Sequence, residues 1–282
     1  MNRTKASSVC ILGHGITYSR SPLIHGYWMK KYGVDSEYGI CDLTAEQLPD
    51  FLKSIRTGKF AGCNITTPHK QAVIPYLDAL DDAASAIGSV NTIYRRDGLL
   101  RGTSTDGAGY IGHLRTAHPD LQLKNAKVLI LGAGGAARSI ADALVQCGCS
   151  EVHVANRTLQ KARDIAGLRP GIIKPVAWDN VHSVAGHVGL VVNTTSLGMI
   201  GRQPLVFPVA STRRDCVISD IVYAPLETEL LAQARELGRP VLDGLGMLLH
   251  QAAPGFQLWF GIEPEVTDEL RTLVEQDLLS HG

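Results

Sequence analysis

Lys127-Val128-Leu129-Ile130-Leu131-Gly132-Ala133-Gly134-Gly135-Ala136-Ala137 is the stretch from which the rest of the chain is read. Lys127 to Leu131 is a short apolar run, as a parallel strand buried on both faces would be. Gly132 to Gly135 turns the chain, and Ala136 to Cys147 is an Ala-rich helix stopped by Gly148. Together they make a Gly-x-Gly-x-x-Ala turn between a strand and a helix, the context a dinucleotide-binding fingerprint requires. The first glycine permits the tight turn, the second lets a pyrophosphate approach the backbone, and Ala137 lets helix and strand pack closely. Free N–H groups of the first helical turn can then receive phosphate. Gly132, Ala133, Gly134, Gly135 and Ala136 are therefore candidate cofactor residues.

About 20 residues beyond such a turn, an acidic residue usually binds the adenosine ribose of NAD. Here the chain has Asn156-Arg157-Thr158, with Lys161 one turn on. A carboxylate would repel a 2′-phosphate, whereas arginine and lysine supply charge-assisted hydrogen bonds to it. NADP is the cofactor expected.

The pattern continues outward from this unit. Glu151 to Ala155, Leu190 to Asn193, Val217 to Ile221 and Pro240 to Leu242 read as strands, and Leu159 to Ala166 and Glu227 to Leu237 as helices. That alternation predicts a doubly wound parallel sheet. Before it, Val9 to Leu12, Ser36 to Asp42 and Phe60 to Ile65 read as strands alternating with helices over Leu23 to Tyr32, Ala45 to Arg56 and Ala72 to Leu80. Ser21 is the expected N-cap of the first helix and Pro22 its first residue. Val90 to Tyr94 and Leu99 to Gly102 resemble a hairpin. After Gly244 the chain turns helical, from Gly246 to about Phe260 and from Pro264 to Leu279, with a kink expected at Pro254.

Composition narrows the class of function. The 282 residues are 45% hydrophobic, and 27 basic side chains balance 27 acidic ones, so no global field attracts nucleic acid or an anionic membrane. Apolar runs are far shorter than the roughly 18 residues a membrane helix needs. Arg3 and Lys5 precede an apolar run too short for a secretory signal, so a cytoplasmic location is expected. Six cysteines without a Cys-x-x-Cys pair read as reduced core thiols. Histidines and cysteines lack ligand spacing, and no metal is expected. Trp28, Trp178 and Trp259 read as core or interface anchors, and His25 as a packing or supporting histidine.

A second polar cluster lies in the first half. Asn64-Ile65-Thr66-Thr67-Pro68-His69-Lys70 leads from a strand into a turn, and Gly88 to Thr92 and Gly102 to Gly107 add hydroxyls, Asn91 and Asp106 beside glycines. With Ser19-Arg20-Ser21-Pro22, Asn193 to Met199 and Gly246 to Ala252, these motifs follow one another in an order that resembles the shikimate dehydrogenase family over nearly the whole chain.

The resemblance implies a two-domain α/β fold: a substrate-binding α/β domain, residues 1–106 completed by 245–282, and a Rossmann-like NADP-binding domain with a parallel sheet over 107–244. It implies Ser19, Ser21 and Tyr223 for the substrate carboxylate, and Thr66, Asn91, Asp106 and Gln251 for ring hydroxyls. Lys70 and Asp106 would be the catalytic pair. Thr195, Ser196, Gly244 and Met247 would complete the NADP site. The implied reaction is reversible reduction of the C3 ketone of 3-dehydroshikimate, as a step in aromatic amino acid biosynthesis, on a small-molecule substrate; a homodimer is the assembly considered. Gly15, Tyr18 and Ser104 depart from the family's usual proline, histidine and asparagine. They keep quinate or a related cyclic hydroxy acid open as substrate. A noncatalytic NADP-responsive binding protein is the alternative of another class, and the presence of both Lys70 and Asp106 argues against it.

Overall fold

The computed structural model describes residues 7–16 and 19–281; Tyr18, one of the departures above, lies outside them. The chain forms two compact units, residues 1–105 with 249–274 and residues 106–248 with 275–282.

The first unit is built on β1 (Ser8–Gly13), α1 (Ser21–Tyr32), β2 (Tyr38–Asp42), α2 (Leu48–Arg56), β3 (Phe60–Ile65), β4 (Ala79–Leu80), α3 (Asp82–Ile87), β5 (Thr92–Arg96) and β6 (Leu99–Thr103). Its six strands run in the order β2-β1-β3-β5-β6-β4. Strands β2 and β3 pair parallel with β1, and the β5–β6 hairpin joins antiparallel. Asp97 and Gly98 make the hairpin turn with φ of 54° and 76°, the left-handed pair a two-residue loop needs. One face buries Cys10, Leu12, Cys63 and Ile65 under Leu48, Leu52 and Ile55 of α2. Over β3, a Cβ on Gly62 would stand 2.3 Å from Trp259 Nε1, so the indole lies directly on the backbone.

The second unit holds α4 (Asp106–Ala117), β7 (Lys127–Leu131), α5 (Gly135–Gln146), β8 (Glu151–Asn156), α6 (Leu159–Ala166), β9 (Ile173–Ala177), α7 (Val181–Ala185), β10 (Leu190–Asn193), β11 (Val217–Asp220), α8 (Glu229–Glu236) and β12 (Val241–Leu242). The order β12-β11-β10-β7-β8-β9 is parallel throughout. Strand periodicity sends Val128 and Ile130 to one core and Leu129 and Leu131 to the other, so both faces of the sheet are covered. Strand order reverses between β7 and β10, and their carboxyl ends form the topological switch point where such sheets bind ligands.

Two helices close the chain, α9 (Gly244–Phe260) and α10 (Asp268–His281). Helix α9 continues past Pro254, at the loss of one backbone donor. Among the described residues, no helix is long and apolar enough to cross a membrane, and no group of His, Cys, Asp or Glu could hold a metal ion.

Several expectations are corrected. Ser21 is the first helical residue and Arg20 stands at the cap position. The helix expected over Ala72 to Leu80 is one 3₁₀ turn, Ile74–Tyr76, followed by β4; Pro75 lacks the N–H that would extend it. Helices α3 and α4 and strand β9 were not expected. Gly107, Gly109 and Gly112 hide α4 from propensity, yet Gly107 is required there, because a Cβ would lie 2.5 Å from the Ser139 carbonyl oxygen of α5.

Asp220, at the carboxyl end of β11, ties three segments of the second unit together. Its Oδ1 accepts from Asn193 Nδ2 and the Val222 N–H, both at 2.9 Å, and its Oδ2 accepts from Thr228 Oγ1 at 2.8 Å. Burial pushes the carboxyl up from 3.8 to about 6, against the opposing pull of those three donors. The folded state thus keeps a proton that the unfolded chain releases near pH 4, and stability falls as pH rises from about 4 to 6. Asp220→Asn keeps the shape and removes the titration. In urea unfolding at pH 4 and pH 7, its stability relative to the native chain should rise with pH by up to about 3 kcal/mol. Parallel pH dependence of the two proteins would exclude Asp220 as the titrating group.

Candidate active site

In the second unit, the switch point opens into a cavity of about 270 Å³. Gly132, Ala133, Gly134, Asn156, Arg157, Lys161, Thr195 and Ser196 line it. The glycine turn follows from the strand ends. The Gly132 N–H donates to the Ala155 carbonyl at 2.8 Å, and its φ of +106° together with a Cβ position 2.7 Å from Thr194 Oγ1 excludes any side chain. A Cβ on Gly134 would meet no atom within 4 Å, so this edge of the turn faces open space and α5 begins directly after it. Backbone donors of the first helical turn are therefore available to an anion.

The far wall is held by Asn193. Its Oδ1 accepts from the Thr195 N–H at 3.0 Å and from Thr195 Oγ1 at 2.7 Å, while Nδ2 donates to the Leu197 carbonyl at 3.2 Å. At the end of β8, Asn156 Nδ2 donates to the Thr158 carbonyl at 2.9 Å, which curls the chain and leaves Arg157 and Lys161 exposed beside the cavity. Among the described residues, no carboxylate lines it. The glycine cradle and cations fit a phosphorylated dinucleotide. Gly135, Ala136 and Thr158 sit next to the lining without contributing to it. Gly244 and Met247 are buried away from the lining. A Cβ on Gly244 would lie 2.4 Å from the Ile221 carbonyl. Trp178 lines the cavity although it reads as an anchor in the sequence; the strand that delivers it, β9, carries Pro175 and gave no strand signal.

In the first unit, the polar motifs meet at the carboxyl end of β3 and its neighbours. The Thr67–Pro68 peptide is cis, and His69 is buried with Nε2 2.7 Å from the Leu43 carbonyl. A carbonyl only accepts, so that nitrogen carries the proton. The Lys70 carbonyl accepts from the Val90 N–H at 2.8 Å, which places Lys70, half-buried, alongside the Ser89 to Thr92 segment. Thr66 is half-buried, with its N–H donating to the Leu12 carbonyl at 2.9 Å.

Asn91 is the centre of this cluster. Its Oδ1 accepts from the Thr105 N–H at 2.9 Å, and its Nδ2 donates to Thr105 Oγ1 at 2.9 Å and to Gln251 Oε1 at 3.4 Å. Thr105 Oγ1 in turn donates to the Gln251 carbonyl at 2.8 Å. Asn64 Nδ2 donates to Thr92 Oγ1 at 3.0 Å and to the Asn91 carbonyl at 3.3 Å, and Asn64 Oδ1 accepts from Tyr38 Oη at 2.6 Å. Ser19 Oγ accepts from the Ser21 N–H at 3.2 Å, forming the turn into α1. The structure thus unites Asn91 with Gln251 and Ser19 with Ser21. Asn64, Thr92 and Thr105, which the sequence places in the polar motifs without individual roles, join them, and so does Tyr38, which lies outside those motifs. Tyr38 carried no signal, because a lone tyrosine opening a strand looks like sheet packing.

Gly15 explains its own departure. Its φ is +72°, and its N–H donates to Asp42 Oδ1 at 2.9 Å; proline could supply neither. Ser104 is buried. In the second unit, Asp106 opens α4 and is buried, and Tyr223 is half-buried after β11.

Family comparisons cover most of the chain. Residues 11–93 match the shikimate dehydrogenase substrate binding domain, 115–221 match shikimate / quinate 5-dehydrogenase, and 244–268 match the shikimate 5'-dehydrogenase C-terminal domain. The chain is 45% identical over 276 residues to a shikimate dehydrogenase (NADP(+)) of Nitrobacter winogradskyi, covering 98% of each. Among solved structures, it is similar to the quinate dehydrogenase of Corynebacterium glutamicum in complex with NAD, with TM-score 0.89 and 31% identity over 96% of this chain and 99% of that one. It is likewise similar to the shikimate 5-dehydrogenase of Thermus thermophilus in complex with NADP(H) and shikimate, with TM-score 0.84 and 33% identity over 97% and 99%. With a glycine cradle flanked by cations in one unit and an amide and hydroxyl cluster in the other, and with relatives this similar over nearly full length, the chain belongs to the shikimate dehydrogenase family.

Proposed function

We propose that the protein is an NADP-dependent shikimate dehydrogenase that reversibly reduces 3-dehydroshikimate at C3. One observation carries the reading within that family. The cavity at the switch point is lined by Gly132, Gly134, Asn156, Arg157 and Lys161, with two cations and no carboxylate where the adenosine ribose would lie. Gly135 and Ala136 continue the glycine turn, Thr158 follows Arg157, and Gly244 and Met247 at the start of α9 are assigned to the remainder of the NADP site. Six free cysteines among the described residues support a reducing, cytoplasmic setting.

NADPH held there supplies the hydride. The substrate oxygen gains negative charge as C3 is reduced, and Lys70 is assigned to protonate it and, in the reverse direction, to take the proton back. Asp106 is assigned to orient the ammonium and bind a ring hydroxyl. A positioned general acid contributes ~10²–10⁴ in rate, or about 3–5 kcal/mol of barrier. Ser19 and Ser21, with Tyr223, are assigned to the carboxylate, and Thr66, Asn91 and Gln251 to the hydroxyls. These roles match the residue types: hydroxyls and amides bind uncharged oxygens without a cation that would compete with Lys70. The substrate part is assigned to residues 1–106 with 245–282 and the cofactor part to 107–244.

Quinate is the second reading. It is favoured by the likeness to a quinate dehydrogenase bound to NAD. Turnover of shikimate and quinate with NADP and with NAD decides between them: shikimate with NADP should be fastest by at least about tenfold. Comparable rates on quinate with NAD would overturn the proposal.

Two substitutions test the roles. Lys70→Ala should lower kcat by about 10²–10⁴ with NADP affinity nearly unchanged; a loss under tenfold removes Lys70 from the chemistry. Arg157→Ala should raise the KM for NADP about tenfold or more and that for NAD little. Equal weakening of both would show that Arg157 does not meet the 2′-phosphate.

A further inference from the structure

The hydrogen bonds of the first unit have a single consistent direction. At Asn91 Oδ1 the donor is the Thr105 N–H, which cannot accept, so that atom is the amide oxygen and its partner atom the nitrogen. Thr105 Oγ1 donates to the Gln251 carbonyl and so must accept from Asn91 Nδ2. Thr92 Oγ1 donates to Asn91 Oδ1 at 3.1 Å and so must accept from Asn64 Nδ2. Asn64 Oδ1 is left to accept, and the Tyr38 hydroxyl is its donor at 2.6 Å. The same phenol oxygen interacts with the Ser21 hydroxyl, which donates because the phenol proton is committed to Asn64.

We propose that Tyr38 is a positioning residue for substrate recognition, anchoring by its hydroxyl a relay that runs from Ser21 through Asn64, Thr92 and Asn91 to Gln251 and whose polarity the Thr105 N–H and the Asn91 carbonyl fix. The inference rests on the function proposed above and deepens it. Asn91 Nδ2 donates to Gln251 Oε1 at 3.4 Å, which fixes the orientation of the Gln251 amide assigned to a ring hydroxyl. Ser21 is held by the same relay from the other end. Two assigned substrate contacts that lie far apart along the chain therefore share one support.

The ring of Tyr38 is held for this task. It stacks on His25 with centroids 4.3 Å apart and planes 3° from parallel, and Trp259 lies 6.2 Å from it. His25 is fully buried, and burial pushes its pKa down to about 3, so it stays a neutral stacking partner. Burial raises the phenol well above its usual range, so the proton it gives to Asn64 Oδ1 remains in place.

Tyr38→Phe removes the hydroxyl and keeps the ring on His25. In the full-length protein the KM for shikimate should rise about tenfold, as expected for one lost buried hydrogen bond. The kcat should stay within about threefold, and the KM for NADP within about twofold. Thr92→Val cuts the relay at its middle and should give the same split, and the double variant should be no more than about twofold worse than the poorer single. An unchanged KM for shikimate in both single variants, or losses that multiply in the double, overturns the proposal. Failure of the wild-type protein to turn over shikimate would instead sink the assigned function. The relay is then read without substrate, from exchange of the Asn64 and Asn91 side-chain amide protons by NMR. Exchange about tenfold faster in Tyr38→Phe supports it; unchanged exchange refutes it.

Discussion

Parallel strands end in carbonyl and N–H groups that no neighbouring strand can satisfy, and in both units the chain meets this constraint with buried amides and carboxylates at the carboxyl ends. An unpartnered buried group costs about 1–3 kcal/mol, so the strand ends are closed by backbone turns, as where the Gly132 N–H meets the Ala155 carbonyl, and by side chains aimed at them. Asn193 and Asp220 do this in the second unit, where they also hold the Thr195 segment against the glycine turn. Asn64 and Asn91 do it in the first. Beside the groups that close the strand ends lie the Thr195 segment that lines the cavity of the second unit and the polar cluster of the first.

The two units answer the constraint differently. In the second unit backbone donors and exposed cations stand open at the cavity, a combination that suits phosphate, which needs charge and N–H groups more than shape. Arg157 and Lys161 are those exposed cations. In the substrate unit the polar groups are buried and bonded to one another, so their donor and acceptor roles are settled before anything binds. Preorganisation of this kind suits a small polyol, whose hydroxyls can each donate or accept and so are distinguished only by a site whose own polarity does not adjust.

Aromatic packing supports the second arrangement. His25, Trp28, Phe256 and Trp259 surround one another beneath the amide cluster. Trp259 Nε1 donates to the Ile93 carbonyl at 2.9 Å, and Trp28 Nε1 to the Glu265 carbonyl at 3.0 Å. Both indoles thus satisfy their polar atoms while covering the sheet, and Gly62 gives Trp259 the room to do so.

The strand, glycine turn and helix over residues 127–147, and the cation pair after β8, could be read from neighbouring residues alone. Periodicity, φ and charge act within one or two turns of chain, so local order suffices to reveal them. Shikimate dehydrogenase motifs were legible too, as ordered short segments, but the segments do not say which way an amide faces. Helix α4 was hidden by its glycines, of which Gly107 answers to Ser139 on another helix, and Tyr38 because its partner lies two strands away in the sheet order. The direction of the relay depends on Asn64, Asn91, Thr105 and Gln251 meeting across four segments of the chain. Hydrogen-bond polarity is a property of that meeting, and it exists only once the strands have paired.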